Sequence, residues 1–420
     1  MFENIIGQTE VVGTLREEIP KGRFPRSALF FGPAYAGKLS TALETARVLT
    51  CERGTAEWSC DCASCRMQKE LSHPQTVLLG PRYADVEIAA CADTLLRSRK
   101  PASLYLFLRA VRKLTRRYDP SILDADEPRI KALVEKAARI EEVLAELSPT
   151  VELPPARALA GILEKIVTAA TPVAAHARGD AITVAQVRKL AGWAHLTAAG
   201  SFKVAIVENA DRMQDSARNA LLKLLEEPPA AVHLMLLTTR KAAIIPTILS
   251  RLRPYAFPQR PADEEKEVLS KIFRQDPPVF DSLRAFFLAW REINPEKLAS
   301  LAATFLDLVK ADAVEDIVEH MAEILSERKA GRDRLSRETA SSFLEELLGR
   351  MHALMRSGSP PVETLEQWAE ATREAHQRLE TFNMNPTTVV EALFFRMRSA
   401  LHQNETGARV GGAGAREAGR

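Results

Sequence analysis

The chain has 420 residues, 46% of them hydrophobic and 27% charged. That length predicts two or three domains, and the composition is that of a globular chain able to bury a core. Its 57 basic and 55 acidic side chains leave a net charge of only +2, so nucleic-acid contact requires a local patch, not bulk attraction for phosphate. The opening MFENIIGQTE lacks the basic start and apolar run of a signal peptide. No apolar stretch reads as approaching the roughly 20 residues that span a bilayer. The expectation is a cytoplasmic protein without a membrane partner.

In chain order, Val11–Ile19 predicts a short amphipathic helix and Ser27–Phe31 a buried strand. A glycine-bounded loop, Gly32–Lys38, leads into a predicted helix over Leu39–Leu49. Four cysteines follow between Cys51 and Cys65, then a second apolar strand at Thr76–Leu79. From 83 to 178 the chain turns rich in Ala, Leu, Arg, Lys and Glu at helical spacing, with proline breaks, and reads as an inserted helical module. The α/β pattern then resumes. It predicts a helix near Val184–Trp193, a strand at Lys203–Val207, a helix at Ser216–Leu225, a strand at His233–Thr238 and a short helix at Pro246–Leu249. Beyond Pro261 the spacing is helical to about Gln403, and the Gly/Ala/Arg-rich tail from Asn404 to Arg420 is expected to be disordered.

Gly32-Pro-Ala-Tyr-Ala-Gly37-Lys38, between a strand and a helix, has the context of a phosphate-binding loop. Glycines let backbone amides curl around phosphate, the helix N-terminus adds positive potential, and Lys38 supplies a point charge. A working loop places Ser or Thr next, where the hydroxyl ligates Mg²⁺; here stands Leu39. Ser40 is rotated about 100° around the helix and cannot substitute. The strand Val204–Val207 ends in Glu208-Asn209-Ala210-Asp211, resembling a Walker B box of AAA+ proteins, which usually ends Asp-Glu. Glu208 is one methylene longer than the usual aspartate, and Asn209 cannot accept a proton where a general base belongs. Loss of such a base typically costs about 10²–10⁴ in rate. The alternative is a shifted register in which Asp211 supplies the working carboxylate.

Cys51, Cys60, Cys62 and Cys65 form C-x8-C-x-C-x2-C. Four soft thiolates so close together suit a closed, tetrahedral, structural Zn²⁺ site; reduced, unligated thiols are the alternative. Cys91 reads as a small core residue, and His73 as a loop residue outside the ligand set. Arg97, Arg99, Lys100, Arg109, Arg112, Lys113, Arg116 and Arg117 crowd one stretch, with Tyr105, Phe107 and Tyr118 between them. This is either a solvated helix face balanced by nearby acids or a contact for primer–template DNA or another replisome protein.

Several segments together resemble the AAA+ clamp-loader subunits of bacterial replication. They are Phe2-Glu-Asn-Ile-Ile-Gly-Gln8, His73-Pro74, Asp211-Arg-Met213, Asn219 through Pro229, Thr238-Thr239, Ile245 through Arg251, and Asn383-Met-Asn-Pro386. The likeness covers roughly 1–80 and 180–260, and the C-terminal helices weakly; the stretch 83–178 has no counterpart. The cysteine spacing departs from the family's usual C-x2-C-x2-C by one residue between Cys60 and Cys62. Within the family, the broken boxes are similar to the delta-prime type, which commonly lacks ATPase activity.

The resemblance implies an α/β AAA+ P-loop domain with a parallel sheet at 1–82 and 179–258. A small helical lid at 259–315 and an all-α C-terminal collar domain at 316–403 would follow. It implies a stator-like subunit of a polymerase holoenzyme, binding ATP weakly or not at all. Its degenerate nucleotide site would comprise Gly32, Gly37, Lys38, Leu39, Glu208 and Asn209. Arg251, in Ser250-Arg251-Leu252 where the family has Ser-Arg-Cys, would reach a neighbour's ATP site as an arginine finger. Thr238 or Thr239 would stand at the phosphate sensor. The implied partners are motor and delta-type subunits in a hetero-oligomer, with the sliding clamp and primer–template DNA reached through the complex. An ATPase-active motor of the same family and a DNA-binding adaptor remain the competing readings.

Overall fold

The chain as a computed structural model describes residues 1–417 apart from 83, 124–127, 178–180, 197–201, 277, 292–294, 312–327, 330–331, 334–336, 358–359 and 381–383. The edges of the inserted stretch at 83 and 178–179, and Asn383 of the Asn-Met-Asn-Pro signal, lie outside the described residues. Packing divides the chain into two units, Met1–Trp290 and Arg291–Arg420.

In the first unit, β1 (Ser27–Phe31), β2 (Thr76–Leu79), β3 (Lys203–Val207), β4 (Val232–Thr238) and β5 (Arg253–Ala256) form one parallel sheet in the order β2-β3-β4-β1-β5. Strands β3 and β4 are buried at every position, the pattern of parallel strands covered on both faces. Their side chains alternate between two cores. Leu29, Ala205, Val207 and Leu234 face one, and Phe30, Val204, Ile206 and Met235 the other. The first core packs beneath α8 (Val184–His195) and α9 (Asp215–Glu226); the second packs beneath α1 (Thr9–Glu18) and α2 (Lys38–Leu49). Strand β5 escaped the sequence reading because it is mostly exposed and carries Pro254. Proline is tolerated on an edge strand, which is where β5 lies.

The cysteine region holds α3 (Ala63–Glu70), and the insertion forms α4 (Asp85–Ser98), α5 (Pro101–Thr115), α6 (Pro128–Leu144) and α7 (Ala156–Ala177). Between the sheet strands lies α10 (Pro246–Leu249), and after them come α11 (Ala262–Lys271) and α12 (Leu283–Trp290). Helices α11 and α12 share a single apolar core with the insertion. Phe107, Ile140, Leu163 and Val173 from the insertion meet Leu269, Phe273 and Phe286, with Phe273 and Phe286 ring centroids 4.8 Å apart. Packing thus draws the boundary after Trp290 and places 262–290 with the first unit, not with a separate 259–315 lid.

One expectation is corrected by α7. It has 22 residues, and an 18-residue window within it has a mean hydropathy of 1.4, long and apolar enough to cross a membrane. Leu159, Leu163, Ile166 and Val173 face the insertion core, the ordinary setting of an apolar core helix.

The second unit contains α13 (Pro295–Lys310), a two-residue hairpin of β6 (Arg328–Lys329) and β7 (Arg332–Asp333), and three long helices. These are α14 (Arg337–Ser357), α15 (Val362–Glu380) and α16 (Pro386–Glu417). Phe305 stacks edge-on against Phe343 and Phe394, and buried Trp368 donates Nε1–H to the Met397 carbonyl at 2.7 Å. Helix α13 therefore belongs to this bundle, ahead of the expected start at 316. Helix α16 runs through most of 404–420, where glycine content pointed to disorder and alanine and arginine favour helix.

Candidate nucleotide site and cysteine cluster

The phosphate loop lies where expected, between β1 and α2. Gly37 caps α2 at φ 94°, a conformation that favours glycine. A Cβ there lies 2.5 Å from Nη2 of Arg260. Arg260, which the sequence reading missed, is buried and spans the loop: it donates to the carbonyls of Tyr35, at 3.2 Å, and Ile6. The Tyr35 ring stacks on Phe287 of α12 with centroids 5.6 Å apart. Lys38 donates to the Gly32 carbonyl at 2.7 Å and to that of Pro33. Burial lowers its ammonium pKa to about 8, against the pull of Glu208 and Asp211.

Leu39 is buried in the core beneath α2, and Ser40 faces solvent. The position after the lysine therefore serves packing and offers no oxygen.

At the end of β3, Glu208 is buried and both of its oxygens are taken. Oε1 accepts from Arg82 at 2.6 Å and Oε2 from Arg117. Asn209, at φ 49°, donates Nδ2–H to the Pro81 carbonyl at 2.8 Å. Asp211, the alternative carboxylate, accepts from Thr238 Oγ1 at 2.6 Å and from Arg240 at 2.7 and 3.0 Å. Thr238 is thus committed to Asp211. A divalent cation does not fit this donor set, since no described carboxylate near Lys38 has an uncommitted oxygen pair and Leu39 has none. Nothing in the sequence identified Arg82 and Arg117 as partners of Glu208; the only signal was an acid longer than usual at a buried strand end.

The basic stretch is divided: Arg97, Arg99 and Lys100 are exposed, Arg109, Arg112 and Arg116 are partly buried, and Lys113 and Arg117 are buried. Six of its eight cations make internal contacts. Arg97 caps the Phe273 and Arg274 carbonyls, and Arg99 the Pro154 carbonyl. Arg112 pairs with Glu70 and Glu141, and Lys113 with Glu87. Arg116 donates to the His73 and Thr76 carbonyls, and Arg117 to those of Gly80 and Lys113.

The four cysteines converge, with sulfurs all within 4.8 Å of one another. Cys51 and Cys60 Sγ are 3.8 Å apart, the edge of a tetrahedron whose metal–sulfur bonds are about 2.3 Å. The donor set fits a soft tetrahedral ion, and the C-x-C step is accommodated because Cys62 N-caps α3 and accepts from the Cys65 amide at 3.4 Å. Burial pushes the Cys65 thiol up, while Arg47 pulls it down by donating to its sulfur at 3.3 Å. Lys69 donates to the Cys60 carbonyl at 2.8 Å. His73 is outside the cluster: its Nε2 meets Ser64 Oγ at 3.2 Å, and its Nδ1 accepts from the Gln75 amide. Cys91 is fully buried in the insertion core.

Arg251 follows α10 and is exposed. It donates to Glu226 at 2.8 Å and to the Thr247 carbonyl at 2.8 Å.

The family described as "DNA polymerase III, delta subunit" matches residues 7–103 and 162–261. The gap between those segments falls within the insertion. Among curated proteins, DNA polymerase III subunit delta' of Pseudomonas aeruginosa is 39% identical over 97 residues, 23% of this chain and 30% of that protein. DNA polymerase III subunit gamma/tau of Mycobacterium bovis is 35% identical over 80 residues, 19% of this chain and 14% of that protein. The chain thus spans less than a third of the length of these relatives. Among solved structures, a DNA polymerase III gamma subunit-related protein from Thermotoga maritima has 18% identity and a TM-score of 0.27, covering 52% of this chain and 80% of that one. The ORC1 protein of Aeropyrum pernix in complex with DNA has 14% identity and a TM-score of 0.33, covering 97% and 95%. With a phosphate loop after β1, an acidic box after β3 and the family match flanking the insertion, the chain has an α/β domain with a parallel sheet and is similar, over a little less than half of its length, to subunits of DNA polymerase III.

Proposed function

We propose that this chain is a non-hydrolysing, stator-like subunit of a clamp loader. In this reading it supports ATP-dependent loading of a sliding clamp while neighbouring subunits carry out hydrolysis. The observation that carries the reading is the double pairing of Glu208 with Arg82 and Arg117. It is joined by Leu39 in the core and Asn209 on the Pro81 carbonyl. An acid held by two guanidiniums and an amide beside it supply neither a metal ligand nor a general base.

Arg251 serves a neighbour's ATP site in trans. Its guanidinium is held in place by Glu226 and the Thr247 carbonyl without being enclosed, and a planar fork of this kind stabilises charge on a transferring phosphoryl group. Cys51, Cys60, Cys62 and Cys65 hold a structural Zn²⁺, which when bound supplies a closed cross-link fastening α3 to the end of α2. Nucleotide binds weakly or not at all. The partners are motor and delta-type subunits in a cytoplasmic hetero-oligomer, with clamp and primer–template DNA reached through the assembly. The internal use of the basic stretch argues against an adaptor built around it.

Reconstitution with partner subunits tests the reading. The purified chain is expected to turn over no ATP above background, and an Arg251→Ala assembly to lose most of its ATPase and clamp loading. ATP turnover by the chain alone establishes the motor reading instead, and unchanged activity of the Arg251→Ala assembly removes the finger.

A further inference from the structure

The AAA+ fold leads one to expect a divalent cation beside the acid that ends β3, and the side chains at that point disagree. Around Glu208 the chain gathers Arg82 and Arg117 directly and Glu87 and Lys113 in the next layer, with Arg82 joined to Glu87 and Lys113 to Glu87. Three cations and two carboxylates leave this cluster with a surplus positive charge before Lys38 is counted. Lys38 also lies within electrostatic reach of Glu208. A divalent ion entering here meets net repulsion, at interior separations where unscreened charges interact strongly. It also finds both carboxylate oxygens engaged.

The backbone fixes the same arrangement. Gly80, directly after β2, has φ 105°, and a side chain there collides with the Glu208 carbonyl. Arg117 Nε reaches the Gly80 carbonyl at 2.8 Å. The Arg82 amide donates to the Ala177 carbonyl at 3.2 Å, so the start and end of the insertion meet beside this carboxylate.

We propose that Arg117 of the helical insertion, together with Arg82 immediately before it, is the resident counter-ion of Glu208: the two guanidiniums take the electrostatic place of a divalent cation, which this carboxylate therefore excludes. The insertion thereby has a role, as the element that makes the degenerate site stable without metal. This deepens the non-hydrolysing reading and rests on it, but it does not depend on Arg251.

The experiment uses the full chain, thermal melting with and without millimolar Mg²⁺, and Mn²⁺ alone as a spin-resonance probe. Wild type is expected to melt at one temperature in both conditions and to bind no Mn²⁺ through Glu208. R82M/R117M leaves a buried carboxylate uncompensated and is expected to melt on the order of 5–10 °C lower. R82M/R117M/E208M removes both sides of the pair and is expected to regain most of that loss. Wild-type Mn²⁺ binding that E208Q abolishes overturns the proposal. So does a double variant as stable as wild type, or a triple variant no more stable than the double. Should the double variant fail to fold, a folded, near-wild-type triple variant supports the proposal and an unfolded one overturns it. Mn²⁺ binding at Glu208 without ATP turnover removes this inference alone, whereas ATP turnover with the pairing intact removes the proposed function.

Discussion

Arg47, on the helix that begins at the phosphate loop, donates to the sulfur of Cys65 at 3.3 Å and to Glu44 at 2.6 Å. The same guanidinium binds the Ala56 and Glu57 carbonyls, at 2.7 and 3.0 Å, and lies over the Trp58 ring. Burial works against its charge, but Glu44 and Cys65 hold its pKa above the ordinary range. One buried side chain thus ties the cysteine cluster to α2. Removing Arg47 and Glu44 together, as R47M/E44M, avoids stranding either charge. The double variant is expected to stay folded and to lose zinc affinity by about 10–100-fold, the usual effect of deleting a hydrogen bond to a metal ligand. Chelator competition measures it; unchanged affinity means that the contact to Cys65 does not tune the site.

Metal content gives a second prediction. The purified chain is expected to carry one Zn²⁺, and Cys51→Ser or Cys62→Ser to lose it, because a closed site needs all four ligands. Chelation is expected to lower the melting temperature of wild type and leave the serine variants unmoved, since folding and metal binding are linked only where the site is intact. Elemental analysis and parallel melts decide it.

Arg251 separates catalysis from stability. Its pair with Glu226 is partly solvated on both sides, and such pairs contribute about 0–1 kcal/mol. Arg251→Ala is therefore expected to melt close to wild type, while the reconstituted assembly slows by about 10³-fold or more. Arg251→Lys is expected not to restore the rate, because an ammonium lacks the planar fork. A rate restored by lysine shows that charge alone is used.

Glu87 fixes a pH dependence. Burial pushes its carboxyl up, but Arg82 and Lys113 outweigh burial and hold it at about 2, below the ordinary 4.5. A depressed carboxylate stabilises the fold above its unfolded value and loses that contribution as pH falls towards the folded one. Wild type is therefore expected to lose stability between about pH 4.5 and 2 more steeply than Glu87→Gln, although the variant is less stable at neutral pH. Denaturant melts across that range provide the measurement, and parallel slopes contradict it.

Most of the site's outline was legible in the sequence because it is local. Strand, glycine loop and helix at Ser27–Leu49, the strand Lys203–Val207 and the crowding of four cysteines follow from periodicity and spacing over a few dozen residues. What escaped are relations across long separations. Arg117 meets Glu208 91 residues away, and Arg260 crosses to Ile6 over 254. An arginine that rivets two elements has the same sequence appearance as one in solvent, which is why the basic stretch looked like a face. The edge strand β5 was hidden for the opposite reason, having too little buried surface to leave an alternating pattern.

The apolar core shared by 84–177 and 269–286 has a consequence for synthesis. A nascent chain that has emerged as far as α7 carries most of that core but lacks Leu269, Phe273 and Phe286, which close it and are made roughly a hundred residues later. At about 5–20 residues per second this leaves the apolar side of the insertion open for some seconds on the ribosome. Fragments ending before Leu269 inherit the same exposure permanently, so a truncation that isolates the nucleotide-binding part at about residue 260 is expected to be aggregation-prone, whatever its site would have done.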